Sequence, residues 1–250
     1  MSVPPNLNKL RQAILGIAQP YAWWPMDADC LTVGSGLIQV ASDLVARRAL
    51  TFPVGARPAY ITTDPLKPAA RFAGAEWGTD PVGLLGGKVE AGIVAVYKQA
   101  AGHTANYQAL VTQGTGAPGG AVDRWENYID ITTGTLVSRA WHVAVNAQTS
   151  TAALDTAATH VLVARVRFAD GTTAVKPVRQ DGANQAGTNS AGNIAAGAFV
   201  NEALMVGAWT SAVPAFFAFG DLTDLLICPY PTDATADLVQ QCFKSLRGTP

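Results

Sequence analysis

The chain has 250 residues, 49% hydrophobic and only 14% charged, with a formal net charge of −1. That composition excludes a disordered chain, which could not bury enough apolar surface to offset its lost entropy. It also excludes a nucleic-acid footprint, because only Arg47-Arg48 and the Arg165/Arg167 pair bring cations close together. No apolar run approaches the roughly 20 residues of a membrane-spanning helix, so neither nucleic acid nor membrane is expected as a partner.

The first segment, residues 1–20, contains Lys9 and Arg11 but no apolar core of a signal peptide, so synthesis in a cytoplasm is expected. Asn6 can cap a short helix carrying Leu7, Leu10 and Ile14 on one stripe, with Gly16 as its stop. That stripe needs a partner. It either packs on the body of the protein or docks a neighbouring subunit, which makes Leu7, Leu10 and Ile14 the partner-docking candidates.

Residues 21–250 read as one β domain, because the 24 glycines and 15 prolines are spread along the chain rather than gathered in a linker. Strands are expected at 37–40, 70–72, 91–98, 108–112, 125–132, 139–145, 161–169, 173–179, 203–209 and 223–228. Ala164, Val166 and Phe168 alternate with Arg165 and Arg167, as in a strand with one wet face. Ile93, Ala95 and Tyr97 oppose Val94 and Val96, so that strand is expected at the centre of a sheet. Asp170-Gly171 is expected to close a type I′ hairpin, and Asp181-Gly182 to open a long exposed loop over 181–197. A last helix begins at Thr232 or Asp233 and carries Leu238, Cys242 and Leu246 on a stripe, with Val239 and Phe243 beside it. Lys244 and Arg247 in its last turn and Gly248 after it fit a helix end.

Cys30, Cys228 and Cys242 are widely spaced, with no CxxC pair for zinc or redox chemistry. They read as buried thiols, or as one disulfide and one thiol. His103, His142 and His160 lack metal spacing and read as core or edge residues. Asp27/Asp29 and Asp221/Asp224 are explained by turns more simply than by calcium. No phosphate loop, dinucleotide fingerprint or nucleophile elbow occurs. No cofactor is expected.

Several segments, in order, carry a family likeness. Ala22-Trp23-Trp24-Pro25-Met26-Asp27-Ala28-Asp29, Ala41-Ser42-Asp43-Leu44, Ala56-Arg57-Pro58-Ala59-Tyr60 and Pro68-Ala69-Ala70-Arg71-Phe72-Ala73-Gly74 cover the first third. Ala203-Leu204-Met205-Val206-Gly207-Ala208, the run from Phe219 to Ile227 and the terminal helix complete it. Over about residues 20–248 the chain resembles concanavalin A-like/laminin-G-like domains of bacteriophage virion proteins and bacterial surface proteins. One position departs: Ala73 stands where the family has an Asp before Gly74. The resemblance implies an all-β, concanavalin A-like jelly-roll β-sandwich with a short N-terminal helix and a C-terminal helix.

Glycanases of this fold resemble one another in an E-x-D-x-x-E strand, which is absent here. Glu126 and Asp130 come nearest. On a strand they share a face but stand roughly 13 Å apart, too far for a catalytic pair, and they read as polar groups on a solvated face. The chain is therefore expected not to be an enzyme. The resemblance implies a virion structural protein (a capsid decoration, head fibre or tail component) that works through contacts with other virion proteins or copies of itself. The alternative is a carbohydrate-binding module or adhesin for a host glycan. Exposed tryptophans would serve it, with Trp77, Trp125 and Trp209 as the candidates, although most tryptophans of a sandwich this size are expected in its core.

Overall fold

The computed structural model describes residues 5–81, 83–101, 107–113, 124–130, 132–142, 145–184, 190–191, 197–209 and 217–249. Among them helix α1 (Pro5–Ala18) precedes the strands and helix α2 (Asp233–Arg247) follows them. The strands of the first half are β1 (Ala22–Pro25), β2 (Leu31–Gly34), β3 (Leu37–Ser42), β4 (Ala49–Thr51), β5 (Ala59–Ile61), β6 (Ala69–Ala73), β7 (Gly78–Asp80) and β8 (Glu90–Gln99). Then come β9 (Tyr107–Gln113), β10 (Arg124–Asp130), β11 (Thr135–His142), β12 (Val145–Ala153), β13 (His160–Arg167), β14 (Val175–Gln180), β15 (Ala183–Asn184), β16 (Ser190–Ala191), β17 (Leu204–Val206) and β18 (Phe219–Cys228).

Two antiparallel sheets face each other. In the back sheet β18 is central: β1 and β6 share one of its edges, and β8 takes the other, followed by β13, β14 and β15. The front sheet runs β4, β7, β17, β9, β10, β11, β12, β16. Pairing of β3 with β4 and β5, and of β5 with β6, carries the ladder from one sheet to the other. This is the jelly-roll sandwich.

The core between the sheets takes one face of each strand: Ile93, Ala95 and Tyr97 from β8, Trp125 and Ile129 from β10, Leu225 and Ile227 from β18. The other face of β8 supplies Val94 and Val96 to a second apolar layer, where Val161, Val163 and Leu226 meet Ile14, Val239, Phe243 and Leu246 of the helices. A strand buried on both faces cannot alternate with polar residues, which is why β8 is without polar side chains from Ala91 to Val96, with Tyr97 following. Trp23 sets its ring edge-on to Phe243, with centroids 5.5 Å apart.

Several details differ from the expectations. α1 runs through Gly16 to Ala18, because Ile17 and Ala18 beyond the glycine still find apolar partners in the helix layer. Ile14 is completely buried and so is not available to a neighbouring subunit, while Leu10 packs against the same cluster and is only partly buried. The side chain of Leu7 lies outside the described residues. In α2 the buried stripe is Ala236, Val239, Phe243 and Leu246, while Leu238 is exposed. Thr232 is the N-cap, its hydroxyl accepting from the Thr235 N–H at 3.2 Å, and Gly248 closes the helix with a left-handed φ of 59°.

The type I′ geometry falls on Asp181-Gly182 (φ 53° and 101°), which joins β14 to β15 as a two-residue turn. Asp170-Gly171 instead lies inside a 3₁₀ turn, Phe168–Thr173, which buries Phe168 and pairs Asp170 with Lys176 at 2.9 Å. The stretch 181–197 is not all loop, since β15 within it pairs with β14 and β16 with β12. β12 was not expected beyond residue 145, because its sequence, Val-Asn-Ala-Gln-Thr-Ser-Thr-Ala-Ala, has few large apolar groups.

The three cysteines are free, and burial pushes the thiols of Cys30 and Cys228 up to about 12. His160 is a buried edge residue. Its Nδ1 lies 2.7 Å from Asp181 Oδ2 and its Nε2 lies 3.0 Å from the Asp155 carbonyl. The side chain of His142 and all of His103 lie outside the described residues.

Two outcomes follow from these contacts. A Cβ on Gly16 would meet nothing within 4 Å, so Gly16→Ala should stabilise the protein by about 0.5–1 kcal/mol, read as a higher denaturant midpoint at unchanged slope. The Asp181 hydrogen bond, opposed by burial, raises the His160 pKa above its ordinary 6.5. The protonated pair therefore contributes its full stability below about pH 6.5 and loses it as pH rises through the folded-state value. Melting temperature should fall over that window in the parent protein. His160→Gln should flatten the fall, and an equal fall in the variant would assign it to another group.

Candidate functional site

The helices pack on the outer face of the back sheet, and among the described residues the outer face of the front sheet is the broad surface without a helix over it. Strand alternation decides what it carries. β10 turns Trp125 and Ile129 inward and hence Glu126 and Tyr128 outward; β11 turns Leu136 and Ala140 inward and hence Val137, Arg139 and Trp141 outward. Ala109 and Tyr107 of β9 join the same outward rows, as do Gln148 and Ser150 of β12, which stand opposite Arg139 and Val137.

Trp209, just after β17, packs onto this face. Ala109, Tyr128, Val137 and Trp209 form an apolar cluster separate from both core layers. Ring centroids of Tyr128 and Trp209 are 4.9 Å apart. Tyr107 stands edge-on to both, at 5.3 Å and 5.9 Å. Tyr107 is 37% exposed, whereas Trp209 is 2% and Tyr128 4% exposed, so Tyr107 is the ring a ligand can reach and the others hold it.

A charge pair is set among these rings. Glu126, fully buried, accepts from Arg139 Nε at 2.8 Å and from Trp141 Nε1 at 3.3 Å. The Arg139 guanidinium carbon lies 5.0 Å from the Trp141 ring, 5.2 Å from Tyr128 and 5.8 Å from Trp209, all within cation–π range. Burial pushes the Tyr128 phenol up to about 12, against the pull of Arg139, so it stays a neutral donor at any physiological pH. The result is a rigid aromatic surface with one fixed guanidinium, bordered by the half-buried amide of Gln148 and hydroxyl of Ser150.

Of the three tryptophans expected from the sequence, the structure brings only Trp209 to this face. Trp125 points into the core, where its indole N–H donates to Ser138 Oγ at 2.9 Å and its ring packs against Phe199. Trp77, half-buried, precedes β7 with its backbone N–H on the Ala56 carbonyl. Tyr107, Tyr128, Arg139 and Trp141 were not singled out, although the alternation of Glu126-Asn127-Tyr128 and of Arg139-Ala140-Trp141 carried the signal. Glu126 is not on a solvated face. It is enclosed and paired, while Asp130, partly exposed, uses its carboxylate to hold Thr132 in a turn. Among the described residues no group of three His, Cys, Asp or Glu side chains could hold a metal ion.

No family model matches the chain, and no curated protein sequence matches it. Solved structures do. Domain 4 of a GH43 extracellular arabinanase from Geobacillus stearothermophilus, in complex with arabinotriose, is similar with a TM-score of 0.61 at 15% identity, covering 90% of this chain and 99% of that one. Trypanosoma rangeli sialidase is similar with a TM-score of 0.56 at 14% identity, covering 90% of this chain and 33% of the sialidase. A structure of the same sialidase in complex with sialic acid gives 0.56 at 13% identity, covering 90% and 32%. The chain thus spans about a third of the sialidases it matches. At such identities the likeness establishes the shared β-sandwich.

The charge pair generates one outcome. Arg139→Met leaves a buried carboxylate with less compensation and should cost about 3 kcal/mol in urea unfolding. The double variant Arg139→Met/Glu126→Met should recover most of that loss. A double variant as unstable as the single one would contradict the pairing.

Proposed function

We propose that the protein is a non-catalytic carbohydrate-binding module whose glycan lies on the outer face of the front sheet. The observation that carries this reading is the exposed Tyr107 ring, held edge-on by Tyr128 and Trp209 beside the Arg139–Glu126 pair. Sugar C–H faces stack on aromatic rings, and planar guanidinium and amide groups hydrogen-bond ring hydroxyls. Both features stand here within one patch. The arabinotriose complex of the similar arabinanase domain supports a sugar as the ligand class. The lack of a second carboxylate near Glu126 on this face, among the described residues, and its full burial against Arg139 support binding without hydrolysis.

A virion setting remains compatible with this role. It rests on the sequence resemblance alone, and mass spectrometry of purified particles is its test. The burial of Ile14, with Leu10 packed against the same cluster, disfavours that stripe of α1 as the docking element.

A glycan array followed by affinity electrophoresis tests the module. At least one neutral or acidic polysaccharide, arabinan among those screened, should retard the protein. Tyr107→Ala should weaken that binding about tenfold or more while leaving the melting temperature within a degree or so, because the ring is already partly exposed. An array without any specific binder would sink the reading, and release of reducing sugar by the parent protein would remove its non-catalytic part.

A further inference from the structure

Beside Tyr107 on the outer face of the front sheet stands a carboxylate. Across the β9–β10 ladder Tyr107 lies directly opposite Asp130, and Asp130 in turn lies opposite Thr135 of β11. Directly opposed residues of an antiparallel pair project to the same face, with Cβ atoms roughly 5 Å apart. Tyr107 is on the outer face because its ring meets Tyr128 and Trp209 there, and Asp130 follows Tyr128 by two residues along β10, which returns it to that face. The electrostatics agree: burial is the main cause that pushes the Tyr128 phenol up to about 12, and the Asp130 carboxylate adds to it.

Asp130 is only half committed. Its Oδ1 accepts the Thr132 N–H at 3.0 Å and the Thr132 hydroxyl at 2.6 Å, which pins the carboxylate at the start of the turn. Among the described residues its Oδ2 accepts no hydrogen bond and the group makes no ion pair. An ionised carboxylate only accepts, at about four lone-pair sites, so this partly exposed group keeps places for further donors. The Thr135 hydroxyl, 2.8 Å from that of Thr133, stands next to it in the same row. Cations are engaged or remote. Arg139 is matched by Glu126 at 2.7 Å, and the Tyr128–Val137 row lies between that pair and the Asp130 row. Arg124, whose side chain lies outside the described residues, begins β10 at its other end, roughly 20 Å along the strand and beyond the roughly 8–10 Å over which exposed charges act in physiological salt.

We propose that Asp130 makes the Tyr107 platform selective for uncharged sugars. A sugar stacked on Tyr107 sets its edge against Asp130, where its hydroxyls donate to Oδ2. A uronate or sialate in that place would bring a second carboxylate beside the first with no cation to compensate it. Stacking alone does not separate the two classes, because both present C–H faces to a ring; the carboxylate supplies the discrimination by attracting hydroxyl donors and repelling anions. The inference rests on the glycan-binding role proposed above and names the class of glycan for the same face.

The test is an array of neutral oligosaccharides and polysaccharides set beside their acidic counterparts, lactose beside sialyllactose and methyl-esterified beside de-esterified polygalacturonate among them. The binders should be neutral, and the acidic counterpart of each should bind about tenfold more weakly or worse. Raising salt from about 0.02 M to about 0.5 M should narrow that gap in the parent protein, since the repulsion acts between exposed charges. Asp130→Asn keeps an oxygen for Thr132 and removes the charge. It should weaken neutral binding and bring each acidic counterpart to within about threefold of the neutral one, at a melting temperature near that of the parent. An array without any binder would sink the glycan-binding role and this inference together. Acidic glycans bound as well as neutral ones, or a gap that neither salt nor Asp130→Asn narrows, would leave that role standing and overturn the selectivity.

Discussion

Arg247 holds the two ends of the chain in one buried charge network. Its guanidinium, with the side chain 3% exposed, donates from Nε and Nη2 to Asp224 at 2.6 and 2.9 Å and from Nη1 and Nη2 to Asp27 at 2.8 and 2.9 Å. Arg11 of α1 reaches Asp27 from the other side at 2.6 Å and Asp29 at 3.0 Å, and the Trp23 indole donates to Asp224 at 2.9 Å. Burial opposes the charge on Asp27, but the two guanidiniums outweigh it and hold its carboxyl below the usual range. Such groups tolerate no partial loss, since deleting one cation would leave the remaining carboxylates buried and under-compensated. The network ties α1, the turn after β1, β18 and α2 together at the outer layer of the back sheet.

That tie has a functional consequence. With both helices fixed over β8, β13 and β18, the back sheet is closed to ligands, and its strands can be apolar on both faces. Among the described residues the front sheet bears no helix. Its outer face must therefore supply its own stabilisation, which it does by packing Tyr128, Trp209 and Val137 among themselves and by sandwiching Arg139 between rings and Glu126. The same contacts that keep this face folded make it stiff, and a stiff aromatic surface loses little entropy when a sugar stacks on it.

Local chemistry was legible wherever one residue decides one geometry. Gly248 closes α2, and Thr232 caps it; β8 announced its central place by apolar residues on both faces. It was misleading where neighbours compete. Asp170-Gly171 and Asp181-Gly182 are equally good turn signals, yet burial of Phe168 draws the first into a 3₁₀ turn and leaves the type I′ hairpin to the second. Gly16 reads as a stop, yet the helix layer offers Ala18 a buried place beyond it.

What the sequence by itself determined is the class of the protein. Its alternating short strands, dispersed turn residues and low charge allow a large β-sandwich and little else, because these patterns depend only on the periodicity of the backbone and on the free energy of burying each side chain. What only the tertiary structure decided is which aromatics face outward together. Trp125 and Trp209 are alike in composition and context, yet the register of β10 against β9 and β11 turns one into the core, while the chain's path beyond β17 brings the other onto Tyr128, some 80 residues away. Register is set by pairing between distant strands, and the sites, built from that pairing, exist only once the sheets have formed.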